Sequence, residues 1–560
     1  MNRNAEYPFG STPGIKIPRS KISRPFDCKT TFNAGKLVPF YCKQVLPGQT
    51  SEIDISSFIR MMPSVTPTMD NLIADVYFFF VPNRFLWDSW EKFLGANPDG
   101  SWAQTITLVP PKIFAISNVN ANFGVGDLAS YLGLYPVNIR VPYSSSSYNA
   151  KDYAPMALPI RAYCKVWNDW FRSENLEKEI PYPKTSTDHT ITSGSASGNF
   201  YTDILLGRGL APVAKTADIF TRSLPAPQKG ASVHIPVSDV FYGTFGISAL
   251  DGDDDPDTPF LETKISADLS SSGYRNLRAY TSQAYELYNG SALSRLPIDS
   301  LGTINDLRNA FAIQRMLERD ARGGTRMVEL LKSHFAVSNG DLRLGRSEYL
   351  GGKRIPINMS QVVQTGGSAN PSTPTPQGSV TGISVTGDKS SLFTKSFTEH
   401  GWLIGVTCVR IAHHTYSQGV DRQFFANTRY DFYWPEMANV GEFAVYKKEL
   451  YAGSSTQTNM NNDVFGYQEA WYQYRYSKNL ATGYFATQAS NSLKVWHYGD
   501  EYSSAPTLTA EWLHEGTTEI DRSLAVTSST NHQFLAEFFV NEKVVLPMPL
   551  YSIPGLVDHI

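Results

Sequence analysis

Apolar and polar positions fall into three regimes along the chain. Between residues 37 and 82, short stretches rich in β-branched and aromatic residues alternate with turn residues. Leu37–Leu46 ends at Pro47-Gly48, Ile53–Ile59 follows, and Leu72–Val81 (LIADVYFFFV) runs apolar until Pro82 stops it. This is the pattern of strands. Trp402–Ile411, Glu442–Leu450 and Phe534–Val540 carry the same signature late in the chain. Strands so far apart in sequence predict non-local pairing, as in a sandwich or jelly roll whose early and late segments share one core.

Two stretches follow a helical period instead. Residues 158–176 place Tyr163, Val166, Trp167, Trp170 and Phe171 on one side at three-to-four spacing. Residues 304–319 do the same with Ile304, Leu307, Ala310, Phe311 and Leu317; Thr303 and Asp306 have capping-box-like spacing, and Gly323-Gly324 ends the helix. Both are expected to be structural helices on insertions. The third regime is loop. Residues 185–199 are rich in Ser, Thr and Gly, residues 231–302 contain an acidic run, and residues 365–388 hold 17 Gly, Pro, Ser or Thr in 24 positions. No fixed-period repeat is apparent.

Composition narrows the class. Of 560 residues, 41% are apolar, 13% aromatic and only 18% charged, against about 25% charged in a typical soluble domain. Low charge with many aromatics argues against disorder. The 41 Gly and 34 Pro suit a loop-rich β protein. Leu72–Val81, the longest apolar run, is interrupted by Asp75 and is about half the length that crosses a bilayer. The first thirty residues show no apolar signal-peptide core, so membrane insertion and ordinary export are not expected. Cys28, Cys42, Cys164 and Cys408 are scattered without a CxxC, which favours reduced thiols over disulfides or zinc.

Charge is uneven. The net of −3 excludes a uniformly basic nucleic-acid binder, yet residues 1–43 hold eight Lys or Arg against Glu6 and Asp27. Pro8, Pro13, Pro18 and Pro25 make residues 1–35 read as an extended basic arm able to lie along phosphates. A solvated terminus is the plainer reading on composition alone.

Chemical motifs dissolve on inspection. Gly382–Ser390 nearly spells a phosphate loop, but Asp388 separates Gly387 from Lys389 and opposes a phosphate. Gly124–Ala129 fits a loose dinucleotide pattern without an apolar strand before it. Asp251, Asp253, Asp254, Asp255 and Asp257 offer oxygen ligands, with Glu262 at the twelfth position of a calcium loop, but Pro256 replaces the required glycine. A solvated acidic loop is favoured there; a structural Ca²⁺ at Asp251, Asp253 and Asp255 is the lesser reading, and no other cofactor is expected. His413-His414 are adjacent and would face opposite ways in a strand. Phe78–Phe80, Trp87, Trp90, Trp434, Trp471, Tyr472, Tyr474 and Tyr476 could stack bases or sugars, but core and interface burial is the commoner use. No catalytic residue emerges, and no enzyme is expected.

Short strings along nearly the whole chain carry a family resemblance. They include Lys29–Gly35 (KTTFNAG), Met69-Asp70-Asn71, Phe78–Trp90 (FFFVPNRFLWDSW), Leu158–Leu176 and Leu224–Gly230 (LPAPQKG). Glu318–Arg326 (ERDARGGTR), Glu348–Gly352 (EYLGG), Trp434–Gly441 (WPEMANVG), Val464–Glu469 (VFGYQE), Tyr474–Tyr476 and Pro547–His559 (PMPLYSIPGLVDH) follow in order. The chain resembles the major capsid proteins of gokushovirus-type Microviridae, small icosahedral single-stranded DNA bacteriophages.

The resemblance implies a mainly β fold: an eight-stranded viral jelly-roll β-barrel with long inserted loops and a few helices. The core would comprise residues 36–230 and 303–560. Sixty copies would form a T=1 shell around circular single-stranded DNA, assembled in the bacterial cytoplasm and found in the virion. By resemblance, residues 231–302 form a threefold protrusion that meets a bacterial surface receptor, with the acidic run Asp251–Asp257 in it. A small basic packaging protein and other minor virion proteins would be further partners. The arm would be internal, with Arg3, Lys16, Arg19, Lys21 and Arg24 close to DNA. The competing reading is a secreted β-sandwich carbohydrate-binding or glycan-degrading protein with Trp and Tyr platforms.

Overall fold

A computed structural model describes residues 17–96, 108–116, 122–143, 149–192, 197–231, 233, 304–323, 327–336, 345–366, 377–453 and 463–551. Its main body contains eight long strands: β1 (Ser20–Phe32), β2 (Val38–Val45), β3 (Thr50–Met61), β4 (Leu72–Pro82), β5 (Glu348–Ile357), β6 (Thr386–Ser396), β7 (Gly401–Ile411) and β8 (Phe534–Leu546). They form two four-stranded antiparallel sheets, ordered β1-β8-β3-β6 and β2-β7-β4-β5. Consecutive strands such as β2 and β3 lie in different sheets, so the chain wraps around the core. This is the expected eight-stranded jelly roll.

The two sheets are buried differently. Along β8 and β3, burial alternates residue by residue, because one face packs inward and the other meets solvent. Phe40, Phe78 and Phe538 meet in the interior: Phe40 lies edge-on to Phe78 at 5.6 Å and stacks on Phe538 at 4.5 Å. β4 and β7 are instead buried on nearly every residue. Their second face carries Phe79, Val81, Ile404 and Val406 into another core, shared with Trp87 and the helix α1 (Leu158–Trp170). A strand covered on both sides reads as a continuous apolar run, hence LIADVYFFFV.

Three expectations need correction. The arm read over 1–35 ends earlier, because Ser20–Phe32 pairs along its whole length with β8. Its alternation of exposed Lys21, Ser23 and Pro25 with half-buried Ile22, Arg24 and Phe26 is that of an edge strand with one solvated face. The loop read over 365–388 is shorter too: Val380–Ser384 pairs with Met359–Val363, and β6 begins at Thr386. The near phosphate loop Gly382–Ser390 is therefore mostly strand. The helix read over 158–176 stops at Trp170.

Residues 228–337 form a separate compact unit. Its described part is mainly the helices α2 (Ile304–Gly323) and α3 (Met327–Phe335). α2 covers the helix expected over 304–319. In this unit, most of 231–302 lies outside the described residues.

Phe538→Ala would remove the ring that bridges the sheets and should destabilise the body by about 3–5 kcal/mol. A denaturant midpoint indistinguishable from wild type would contradict that packing.

Candidate functional site

The sequence-flagged cations separate once folded. Arg3 and Lys16 lie outside the described residues, as do Asp251, Asp253, Asp254, Asp255 and Asp257. Arg19 and Lys21 are exposed where the chain enters β1. Arg24 faces the other way. Its Nε and Nη2 lie 3.0 and 2.7 Å from Oε2 of Glu542 on β8. Glu542 is 1% exposed and also accepts hydrogen bonds from Tyr41 at 2.8 Å and Ser51 at 2.9 Å. A carboxylate buried this deeply persists because it is paired and hydrogen-bonded. Arg24, half-buried, is thus committed to Glu542, while Arg19 and Lys21 remain available to a ligand.

A second buried carboxylate explains the lone acid in the apolar run. Asp75 sits mid-strand in β4, directly across from Arg354 of β5. Arg354 Nε donates to its Oδ1 at 2.8 Å, and Arg410 of β7 pairs with Oδ2.

The third cluster lies just beyond β7. His414 Nδ1 is 2.9 Å from Asp500 and Nε2 is 3.2 Å from Glu515, both carboxylates being buried. Lys215 and Tyr502 also reach Asp500, at 2.5 and 2.7 Å. Burial opposes the imidazolium, but Glu515 and Asp500 outweigh it and raise its pKa to about 10. Both ring nitrogens then donate, leaving no lone pair for a metal or for a proton taken from a substrate. His413 is exposed, so the pair does face apart, although beyond the strand end. Cys164 and Cys408 are free, with thiols pushed up to about 12 by burial.

The aromatic residues split in two. Phe78–Phe80, Trp87, Trp90, Trp471 and Tyr472 are buried, and so unavailable as sugar platforms. An exposed set remains on the loops at 424–434 and 474: Phe424, Tyr430, Phe432, Tyr433, Trp434 and Tyr474. Phe424 is 78% exposed. The set is held from beneath: Tyr433 lies edge-on to Trp471 at 5.6 Å, Trp434 Nε1 donates to Arg429 O at 2.8 Å, and Gln423 donates to Gln473 O at 3.0 Å. Large, anchored aromatics on a water-facing surface are the composition of an interface core. Phe424, Tyr430, Phe432 and Tyr433 escaped notice in sequence, because nothing in their spacing separates exposed rings from buried ones.

Comparison with known proteins gives a consistent picture. A family model described as capsid protein (F protein) matches residues 11–556. The capsid protein VP1 of Spiroplasma virus 4 is 35% identical over 98% of this chain and 97% of its own. The VP1 proteins of Bdellovibrio phage phiMH2K and Chlamydia phage 1 are 34% and 33% identical; the matches span 99% and 98% of this chain and 98% and 97% of theirs.

The His414 cluster yields a signed prediction. A raised histidine pKa stabilises the fold fully below about 6.5, its ordinary value, and loses that contribution as pH climbs towards 10. Burial lowers Lys478 to about 8, which pulls the absolute slope the other way. The informative quantity is therefore the wild-type minus His414→Gln difference in unfolding free energy. It should be about 3–5 kcal/mol near pH 6 and shrink by pH 10; a pH-independent difference would contradict the charged-imidazole assignment.

Proposed function

The chain belongs to the capsid protein (F protein) family, and from that premise we propose that it is the major shell subunit of a small phage. Copies assemble into a T=1 icosahedral shell of sixty subunits that encloses circular single-stranded DNA. The observation that carries the reading is the family match across residues 11–556, on a body folded as an eight-stranded jelly roll. The role is structural, with no catalytic residue assigned.

Physical features support each part. A subunit with many neighbours must bury a large fraction of its surface, which favours aromatic, weakly charged contacts. The exposed cluster from Phe424 to Trp434 has that character. Arg19 and Lys21, continuing the basic stretch that includes Arg3 and Lys16, would meet phosphate without reading sequence. The segment 231–302, with its acidic Asp251–Asp257 run, would remain hydrated at the outer surface and meet the receptor. Ca²⁺ at Asp251, Asp253 and Asp255 belongs to the same proposal as an accessory option. Assembly takes place in the bacterial cytoplasm with a small basic packaging protein and other minor virion proteins. Among the described residues, no helix is long and apolar enough to cross a membrane.

Light scattering on native particles should give sixty copies of the 62.2 kDa chain plus genome; a monomer or small oligomer would overturn the shell. Phe424→Glu with Trp434→Glu should leave a folded subunit that no longer assembles, each change costing about 2 kcal/mol or more of contact energy. Normal shell yield would remove the cluster from the interfaces. Replacing residues 235–298 with a short Gly/Ser bridge should spare assembly and abolish adsorption; particles that still adsorb would sink the attachment role.

A further inference from the structure

The β1-β8-β3-β6 sheet exposes one face, and its register arranges that face in rows. Lys29, Glu537, Phe58 and Gly387 lie side by side across the four strands, and the next row is Asp27, Phe539, Ser56 and Lys389. Thr31, Leu535 and Arg60 flank the first row. Two concavities of about 560 and 420 Å³ meet here and share Phe58 and Glu537 as lining residues. Val125, Tyr131 and Val137 wall the larger one.

Two phenylalanines stand half-exposed on this surface. Phe58 is 37% and Phe539 42% exposed, whereas the inward Phe538 is fully buried. Their neighbours are small: Ser56 lies beside Phe539, and a Cβ at Gly387, beside Phe58, would meet nothing within 4 Å. Phe539 packs against no other ring among the described residues. The Arg60 guanidinium lies 5.0 Å from the Phe58 ring centre.

The charges on this face leave a positive remainder. Lys29 pairs with Asp27 and with Glu537, the latter at 3.2 Å. Lys543 pairs with Glu52 at 2.9 Å and Asp54 at 3.5 Å. These four carboxylates are thus held by lysines, and Asp388, which also lines the smaller concavity, pairs with Lys353 at 2.6 Å, while Arg60, Lys389 and Lys21 form no ion pair among the described residues. Exposed cations outside the ion pairs, Arg60 lying over the Phe58 ring and Lys389 near enough to Asp54 to favour its charged form, stand beside half-exposed rings, a combination that suits a flexible polyanion with flat bases.

We propose that this open sheet face is a groove for single-stranded DNA, with bases stacking on Phe58 and Phe539 and phosphates meeting Arg60 and Lys389. The proposal deepens and rests on the genome-enclosing reading above. Lys21 lies at the end of the face where the basic N-terminal stretch enters β1, so the two would act on one strand of nucleic acid. Recognition is sequence-tolerant, since every base has a face to stack and the cations read only phosphate.

The test has two arms. Intact particles are irradiated to cross-link DNA to protein, and the adducted peptides are mapped by mass spectrometry. Adducts should fall within 54–61 and 535–543. DNA-containing particles with adducts only elsewhere would overturn the groove and leave enclosure standing, while particles without DNA would overturn enclosure itself. In the second arm, the purified full-length subunit is titrated with fluorescent oligothymidylate. Phe58→Ser with Phe539→Ser should weaken binding about tenfold or more. Arg60→Ala with Lys389→Ala should flatten its salt dependence. Unchanged melting temperatures check folding, as all four side chains are on the surface. Wild-type affinity and salt slope in both doubles, or loss of a bound polypeptide in place of DNA, would overturn the proposal.

Discussion

Double-sided burial of β4 and β7 is the constraint on which the remaining architecture depends. One face of this strand pair closes the sandwich against Phe538 and Val540; the other must be covered too, because Phe79, Val81, Ile404 and Val406 point out of the sandwich. Helix α1 and the segment around Trp87 exist to cover it. Arg161, on that helix, is fully buried and donates to the carbonyls of Leu86, Thr185 and Thr187, stitching the covering layer together. Among the described residues, the opposite sheet has no such continuous cover, only the wall of Val125, Tyr131 and Val137 at one end, which leaves surface for ligand or neighbour.

Charge is handled in the same spirit. Glu542, Asp75 and Asp500 are all nearly inaccessible, and each is held by at least one cation from a different part of the chain. Such groups contribute little net stability against apolar substitutes, but losing one partner strands the other. They tie strand register and loop placement to specific partners. The charges left outside are then the ones available for function.

The fold was legible where burial is two-sided or strictly alternating. LIADVYFFFV and Trp402–Ile411 announced strands, and α1 announced itself through Tyr163, Val166 and Trp167. β1 was hidden, because prolines and basic residues on an edge strand look like a tail until the partner β8 is known. β6 was hidden within a Ser/Thr/Gly-rich stretch whose strand character comes from pairing with β3. The candidate surfaces were less legible. Arg24 and Lys21 are three residues apart, yet an odd spacing in a strand sends them to opposite faces. Phe58 and Phe539 lie in strands where neighbouring aromatic and aliphatic residues are buried, and only the register across four strands shows which rings remain open.

The placement of β8 has a consequence for synthesis. It lies between β1 and β3, and Arg24 and Glu542 are separated by 518 positions in the chain. Vectorial folding from the ribosome cannot complete the first sheet: β1 and β3 emerge early and have no common partner until residue 546 is out. Contacts of such long sequence separation form slowly, with unpaired edges exposed meanwhile. A chain terminated before residue 534 therefore lacks β8, one of the two inner strands of that sheet, and leaves β1 without its partner.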